Sequence, residues 1–195
     1  LTETLKPNPV TVYGKSKLAA ENYLLAQVLP EGKKLYILRP CMIHGPGNKG
    51  NLNLLYQLVS KGVPYPLGAF ENKRSYLSVE NLCFVITELL KVQPESGTYN
   101  VADDEAISTN ELVAIIGEGI GKKASIWKFP KAIITGLGKI GTLLKLPINQ
   151  GKLQKLTENY VVSNTKIKNS LGISFPISTK EGLLTTIQSF KNDNS

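Results

Sequence analysis

The 195-residue sequence predicts an α/β fold, the end of a parallel sheet followed by a smaller α/β cap. Three observations predict it. A helical pattern at 12–27 leads directly into the apolar run KLYIL at 34–38 and then a glycine-dense loop, the order in which a helix returns the chain to a parallel strand. After that loop, short strands and helices mix instead of alternating, as in a separate cap. Two helices open on serine followed three residues later by glutamate, Ser108/Glu111 and Ser178/Glu181, so their starts are fixed by capping boxes. No internal repeat or low-complexity linker interrupts the chain, and 42% apolar residues suffice for a buried core.

Taken in order, Val12–Gln27 reads as a helix with Leu18, Ala19, Tyr23, Leu24 and Ala26 on its apolar face, ended by Pro30 and Gly32. Lys34–Leu38 is a buried strand running into Arg39-Pro40. Cys41–Gly50 is a loop, and loops at strand ends are where open α/β sheets carry ligand sites. A helix follows from Asn51 to Lys61, then an irregular stretch set by Pro64, Pro66 and Gly68, then an extended Lys73–Val79. Ser78 caps a helix over Val79–Val92. Tyr99–Val101 is a short strand, the Ser108 box opens a helix through Ile116, and Ile126–Phe129 alternates weakly as a strand. Pro130–Leu146 is amphipathic, Asn164 caps a helix to Leu171, and the Ser178 box opens a last helix to Phe190.

Composition narrows the function classes. The net charge of +8 and pI near 9.4 would suit a polyanionic partner, but the lysines are scattered and the only arginines are Arg39 and Arg74. Without clustered arginines and stacking aromatics, nucleic acid is not an expected partner. No run reaches the roughly 20 apolar residues of a membrane span, and residues 1–10 carry no export signal. Cys41 and Cys83 lack metal-type spacing and are expected to be reduced, buried thiols in a cytoplasmic protein.

The chemistry-bearing pattern is Tyr13-Gly14-Lys15-Ser16-Lys17. Positions four apart share a helix face, and a nearby ammonium favours phenolate, which suits a tyrosine for general acid/base work. Five stretches, the first of them containing this pattern, stand in order: VYGKSKLAAE at 12–21, LRPCMIHGPGN at 38–48, RSYLSVENL at 74–82, YNVAD at 99–103 and NTKIKNSLGISFPISTKEGL at 164–183. Together they resemble the C-terminal part of the extended short-chain dehydrogenase/reductases, the NAD-dependent epimerase/dehydratase family that includes UDP-galactose and UDP-N-acetylglucosamine 4-epimerases. The runs KGNLNLL and KGVPYPLGAFENKRS look closest to bacterial enzymes acting on UDP-N-acetylhexosamines or UDP-N-acetylquinovosamine in surface-polysaccharide pathways.

The resemblance implies a division of labour. Residues 1–48 would be the remnant of a Rossmann-like NAD-binding domain and 49–195 mainly a sugar-nucleotide-binding domain, with segments around 74–103 returning to the first. Tyr13 would be the base at the sugar 4-hydroxyl, and Lys17 would hold the nicotinamide ribose beside it. Pro40, Cys41, Met42 and Ile43 match the segment facing the nicotinamide, Asn51 and Leu52 the helix start that meets the nucleotide, and Arg74 the grip on the diphosphate. Lys15 and Ser16 receive no role. His44 stands where the family usually has tyrosine and reads as a packing variant, Met42 stands where many members have asparagine, and LTENYVVSN lacks the second arginine of several epimerases.

The implied activity is 4-epimerisation of a UDP-hexose or UDP-N-acetylhexosamine with bound NAD, NADP remaining open. The alternatives are a UDP-N-acetyl-6-deoxyhexosamine 4-dehydrogenase or reductase and a non-catalytic sugar-nucleotide-binding module. The cofactor loop would precede Tyr13, so these residues alone are expected to be inactive. A homodimer through the helix at 12–27 is likewise implied. Arg74 has a bland reading as a surface ion pair with Glu71 or Glu80. A competing fingerprint, Gly136, Gly138 and Gly141 with Glu158 downstream, needs a strand before it, whereas Pro130 onward reads as helix.

Overall fold

The structure is a computed structural model and describes residues 1–136, 153 and 157–192. The first helix, α1 (Val12–Leu25), starts at Thr11, whose hydroxyl oxygen accepts the Gly14 N–H at 3.1 Å, and ends at Ala26, whose N–H reaches the Asn22 carbonyl. No residue of α1 is buried, which corrects the apolar face expected for it. At 100° per residue its apolar positions fan around the helix rather than line one stripe, and of that face only Leu18 is even half-buried.

The strand expected at 34–38 runs instead as β1 (Tyr36–Pro40). Proline lacks an N–H to donate, so the end of the strand tolerates Pro40. The loop expected at 41–50 contains a strand, β2 (Met42–His44). Three residues are too few to show a period; the strand is set by its partner, β3 (Tyr76–Ser78), with Met42 opposite Tyr76 and His44 opposite Ser78. β1 pairs with β4 (Gly97–Val101), Tyr36 opposite Gly97 and Pro40 opposite Val101. Both pairs are parallel, in keeping with the α/β class.

Helix α2 (Asn51–Ser60) follows the glycine loop, and α3 (Val79–Val92) starts at Ser78, whose side chain accepts the Asn81 N–H at 3.1 Å. Helix α4 (Thr109–Ile120) carries the complete Ser108/Glu111 box and stops at Gly121, whose φ of 72° is the left-handed conformation that glycine adopts without strain. Ile126–Phe129 makes only isolated bridges, Ile126 to Tyr65 and Lys128 to Leu67, so it is not a strand. Residues 131–136 are helical, and the remainder of the expected helix to Leu146 lies outside the described residues.

The final helices are α5 (Thr165–Leu171) and α6 (Thr179–Asn192). Asn164 precedes α5 without capping it through its side chain; its Nδ2 donates instead to the Ala102 carbonyl at 3.0 Å and to Asp104 Oδ1 at 2.8 Å. Two cores result. One packs α2, α4 and α6 through Leu52, Tyr56, Leu112, Ile116, Leu183 and Ile187; the other packs Val85 and Leu89 of α3, Tyr99 and Val101 of β4, and Ile167 of α5 around Leu77. Both cysteines are free, but Cys83 is exposed, on the side of α3 away from Val85 and Leu89, contrary to the expectation of two buried thiols.

Candidate active site

Helix geometry places Tyr13 and Lys17 one turn apart, and the Lys17 ammonium lies 5.5 Å from the centroid of the Tyr13 ring. Tyr13 is 73% exposed, so its phenol is open to a reacting molecule. One turn further, Glu21 accepts two hydrogen bonds from Arg39 of β1, Nη2 to Oε1 at 2.6 Å and Nε to Oε2 at 3.2 Å. This fork ties the otherwise unburied α1 to the sheet.

A cleft of about 750 Å³ opens beside that fork, lined among others by Thr11, Gly14, Lys17, Glu21, Arg39 and Pro40. It therefore joins Lys17 and Pro40 of the residues singled out by sequence. A smaller cavity of about 120 Å³ joins four more, Met42, Ile43, Asn51 and Leu52, with His44 and Tyr76. Leu52 is 3% exposed and its side chain belongs to the core, leaving its backbone N–H as the group a ligand would use. Gly50 stands at the N-cap of α2, its N–H donating to Asn48 Oδ1 at 2.8 Å and its carbonyl accepting from Asn53, and no side chain caps the Asn51 and Leu52 N–H groups, a setting that attracts anions. Cys41 lines neither space, and its N–H goes to the Val101 carbonyl at 3.1 Å. Burial, reinforced by the Asp103 charge, pushes the Cys41 thiol up to about 12, so it stays protonated.

Arg74 also lines neither space. Its backbone exchanges hydrogen bonds with Ile107 at 2.8 and 3.0 Å, while Lys73 and Ser75 bond to Tyr160, and this bridge sets Arg74 Nη2 3.8 Å from Glu158 Oε1. Among the described residues the ion-pair partner is Glu158, not Glu71 or Glu80. Glu158 is equally removed from the competing glycine fingerprint: Ala132–Ile134, where a strand would be needed, is helical, and Gly138 and Gly141 lie outside the described residues.

Sequence reasoning missed the polar group beneath the second cavity. His44, 2% exposed, places Nδ1 3.0 Å from the Thr186 hydroxyl of α6 and Nε2 3.7 Å from Asp103 Oδ2. Asp103 accepts from the Ser78 N–H and from Asn81 Nδ2 at 2.7 Å, and Asn81 also donates to the Ile177 carbonyl at 3.0 Å. The network locks β2, β3 and α3 against α6, in agreement with a packing role for His44. Asp103 stood in the YNVAD stretch, which was the one available signal. Burial pushes the Tyr76 phenol up to about 12, Arg74 opposing it, so this tyrosine is a neutral wall and not a base.

Comparison with known proteins adds the following. The sequence pattern of the family described as "NAD dependent epimerase/dehydratase family" matches residues 1–102. The chain is similar to a UDP-glucose 4-epimerase of Vibrio cholerae, 31% identical over 189 residues, covering 96% of this chain and 56% of the relative. It is similar to the N-acetyl-α-D-glucosaminyl-diphospho-ditrans,octacis-undecaprenol 4-epimerase of Escherichia coli O157:H7, 29% identical over 191 residues, covering 93% of this chain and 57% of the relative. Among solved structures it shares its fold with the UDP-glucose 4-epimerase of Thermus thermophilus in complex with NAD, with a TM-score of 0.67 and 24% identity over 97% of this chain and 57% of that one. The chain spans a little over half the length of these relatives.

Proposed function

The chain belongs to the NAD-dependent epimerase/dehydratase family, and we propose that it carries the catalytic tyrosine and the nucleotide-binding cap of a sugar-nucleotide 4-epimerase. The observation that carries the reading is the Tyr13–Lys17 pair, an exposed phenol with an ammonium beside it; Lys17 lines a cleft that would hold a dinucleotide, while Tyr13 is not among the residues lining it. The residues present suit that cofactor: Lys17 offers an ammonium donor to ribose hydroxyls and Pro40 an apolar surface in the same cleft, while Met42 and Ile43 line the smaller cavity. NAD, when bound, supplies a hydride acceptor and donor.

Tyr13 would take the proton of the sugar 4-hydroxyl, hold it on the phenol while C4 is a ketone, and return it to the same sugar oxygen in the second half-reaction. Lys17 would orient the ribose beside Tyr13. The uncapped start of α2 at Asn51 and Leu52 would meet the nucleotide, and the Arg74 guanidinium would grip the diphosphate, for which its planar fork is suited. The substrate class is a UDP-hexose or UDP-N-acetylhexosamine. Similarity to the Escherichia coli relative favours a second reading, in which the diphosphate carries a polyprenol in place of uridine. We also assign residues 1–48 to the NAD-binding side and 49–195 to the substrate side, with 74–103 shared, and the face of α1 bearing Val12 and Tyr23, both exposed, to a homodimer contact.

The test uses the full-length protein that carries this chain. It should convert UDP-GlcNAc to UDP-GalNAc without added cofactor, because net redox is zero and NAD stays bound. Strict dependence on added NAD would favour a dehydrogenase or reductase instead. Conversion only of the polyprenyl-diphosphate sugar would select the second reading, and turnover by these 195 residues alone would contradict the assignment of most cofactor contacts to other residues.

A further inference from the structure

The spacing along α1 gives Lys17 two partners on one face, Tyr13 a turn before it and Glu21 a turn after it. An ammonium is a compact charge with three donors and no fixed geometry, so it settles on whichever acceptor is open to it. A carboxylate is the better electrostatic match, yet the Lys17 ammonium lies over the Tyr13 ring, 5.5 Å from its centroid. The reason is on β1. Arg39 occupies both Glu21 oxygens, at 2.6 and 3.2 Å, and the carboxylate it holds is only 13% exposed. A bidentate guanidinium outcompetes a single ammonium for the same group. The other charged groups lining this cleft are Lys6 and Glu158, and Glu158 lies 3.8 Å from Arg74.

The geometry points to Arg39 as a positioning residue: by holding both oxygens of Glu21 it keeps the Lys17 ammonium directed at Tyr13. This inference rests on the reading of Tyr13 and Lys17 as the reacting pair. Arg39 acts through Glu21, not on the substrate. The same fork also ties α1 to β1, and the two roles make opposite predictions when both charges are removed. A pure anchor is lost in the double variant as in the single one. A guard against Glu21 becomes unnecessary once Glu21 is uncharged.

The experiment compares R39Q, R39K, E21Q and E21Q/R39Q in the full-length protein, using kcat and KM for 4-epimerisation of UDP-GlcNAc and crystal structures of wild type and R39Q. R39Q should lower kcat about tenfold with KM little changed, a fraction of the roughly 10²- to 10⁴-fold that a positioned proton-transfer group contributes. E21Q/R39Q should return kcat to within about threefold of wild type, whereas R39K, a single ammonium that leaves one Glu21 oxygen open to Lys17, should fall between R39Q and wild type. In the R39Q crystal Lys17 Nζ should move to within about 4 Å of the Glu21 carboxylate. A folded double variant as slow as R39Q would overturn the proposal, as would R39K as fast as wild type or Lys17 remaining over Tyr13 in the R39Q crystal. An R39Q protein too unstable to crystallise leaves the double-variant rate to decide. Wild type without epimerase activity would instead refute the function assigned above, and the Lys17 position in the R39Q crystal would still decide the role of Arg39.

Discussion

Helices α1 and α4 have similar lengths, 14 and 12 residues, and opposite relations to the rest of the molecule. α4 buries Thr109, Leu112, Val113, Ile115, Ile116 and Gly117; α1 buries nothing and is held by a hydroxyl cap and the Glu21–Arg39 fork. The difference separates two jobs. A helix that buries one face in the core makes a good wall, whereas a phenol that must meet a substrate has to stand where little covers it. Changes in α1 should therefore alter chemistry with little effect on stability, and changes in α4 should do the reverse.

The largest effect should come from Tyr13→Phe. Removing the proton-transfer group should slow turnover of the full-length protein about 10²- to 10⁴-fold. Because the ring is 73% exposed, the unfolding free energy should move by no more than about 0.5 kcal/mol. A large loss of stability in this variant would break the contrast between the two helices. Ile116→Ala should show the opposite signature. Ile116 is fully buried between α2 and α6, and its truncation should cost about 2–5 kcal/mol in chemical denaturation while Tyr13 keeps its surroundings.

A smaller effect is expected from Gly117→Ala, also in α4. A Cβ there would sit 2.7 Å from the Lys122 carbonyl oxygen and 2.9 Å from the Ala124 nitrogen, both backbone atoms that cannot rotate away. The cost should be about 1–3 kcal/mol, read as a lower denaturation midpoint. Stability equal to wild type would mean that the turn after α4 yields. Ser108→Ala, which removes the α4 cap, should cost about 1 kcal/mol.

How much of this was legible in the sequence depends on how far apart the deciding residues lie. The starts of α3 and α4 were readable because Ser78 and Ser108 act on residues three positions away, whereas α4, expected to end at Ile116, runs on to Ile120 and stops at Gly121. The Tyr13–Lys17 face was readable for the same reason. β2 was not, because three residues become a strand only against Tyr76–Ser78; Asn164 does stand at the N-cap position of α5, but its side chain does not cap, because Ala102 and Asp104, some 62 and 60 positions away, accept from its amide. The Glu21–Arg39 fork spans 18 positions and the His44–Thr186 contact 142, distances over which no local pattern speaks. In α1 the apolar residues suggested a buried face, and only the fold shows that nothing in the described residues packs on it.

The smallest effect separates the two helices by pH. Glu111 and Glu181 close the boxes of α4 and α6, and accepting the N–H of Ser108 and of Ser178, with help from those serine hydroxyls, holds both carboxyls below the usual range. A carboxyl depressed in the folded state binds its proton more weakly there than in the unfolded chain, so the unfolded chain gains protons first as pH falls. The stabilisation is therefore complete above the ordinary carboxylate value of about 4.3 and drains away as pH drops through the folded values. Thr11, which caps α1, is a hydroxyl and contributes no such dependence. Denaturation midpoints measured from neutral pH down through this window should fall less steeply for E111Q/E181Q than for wild type, since glutamine keeps part of each cap and has no proton to take up. T11A should lower the midpoint by a similar amount at every pH. Equal slopes for wild type and E111Q/E181Q would show that the acid sensitivity of the molecule lies elsewhere.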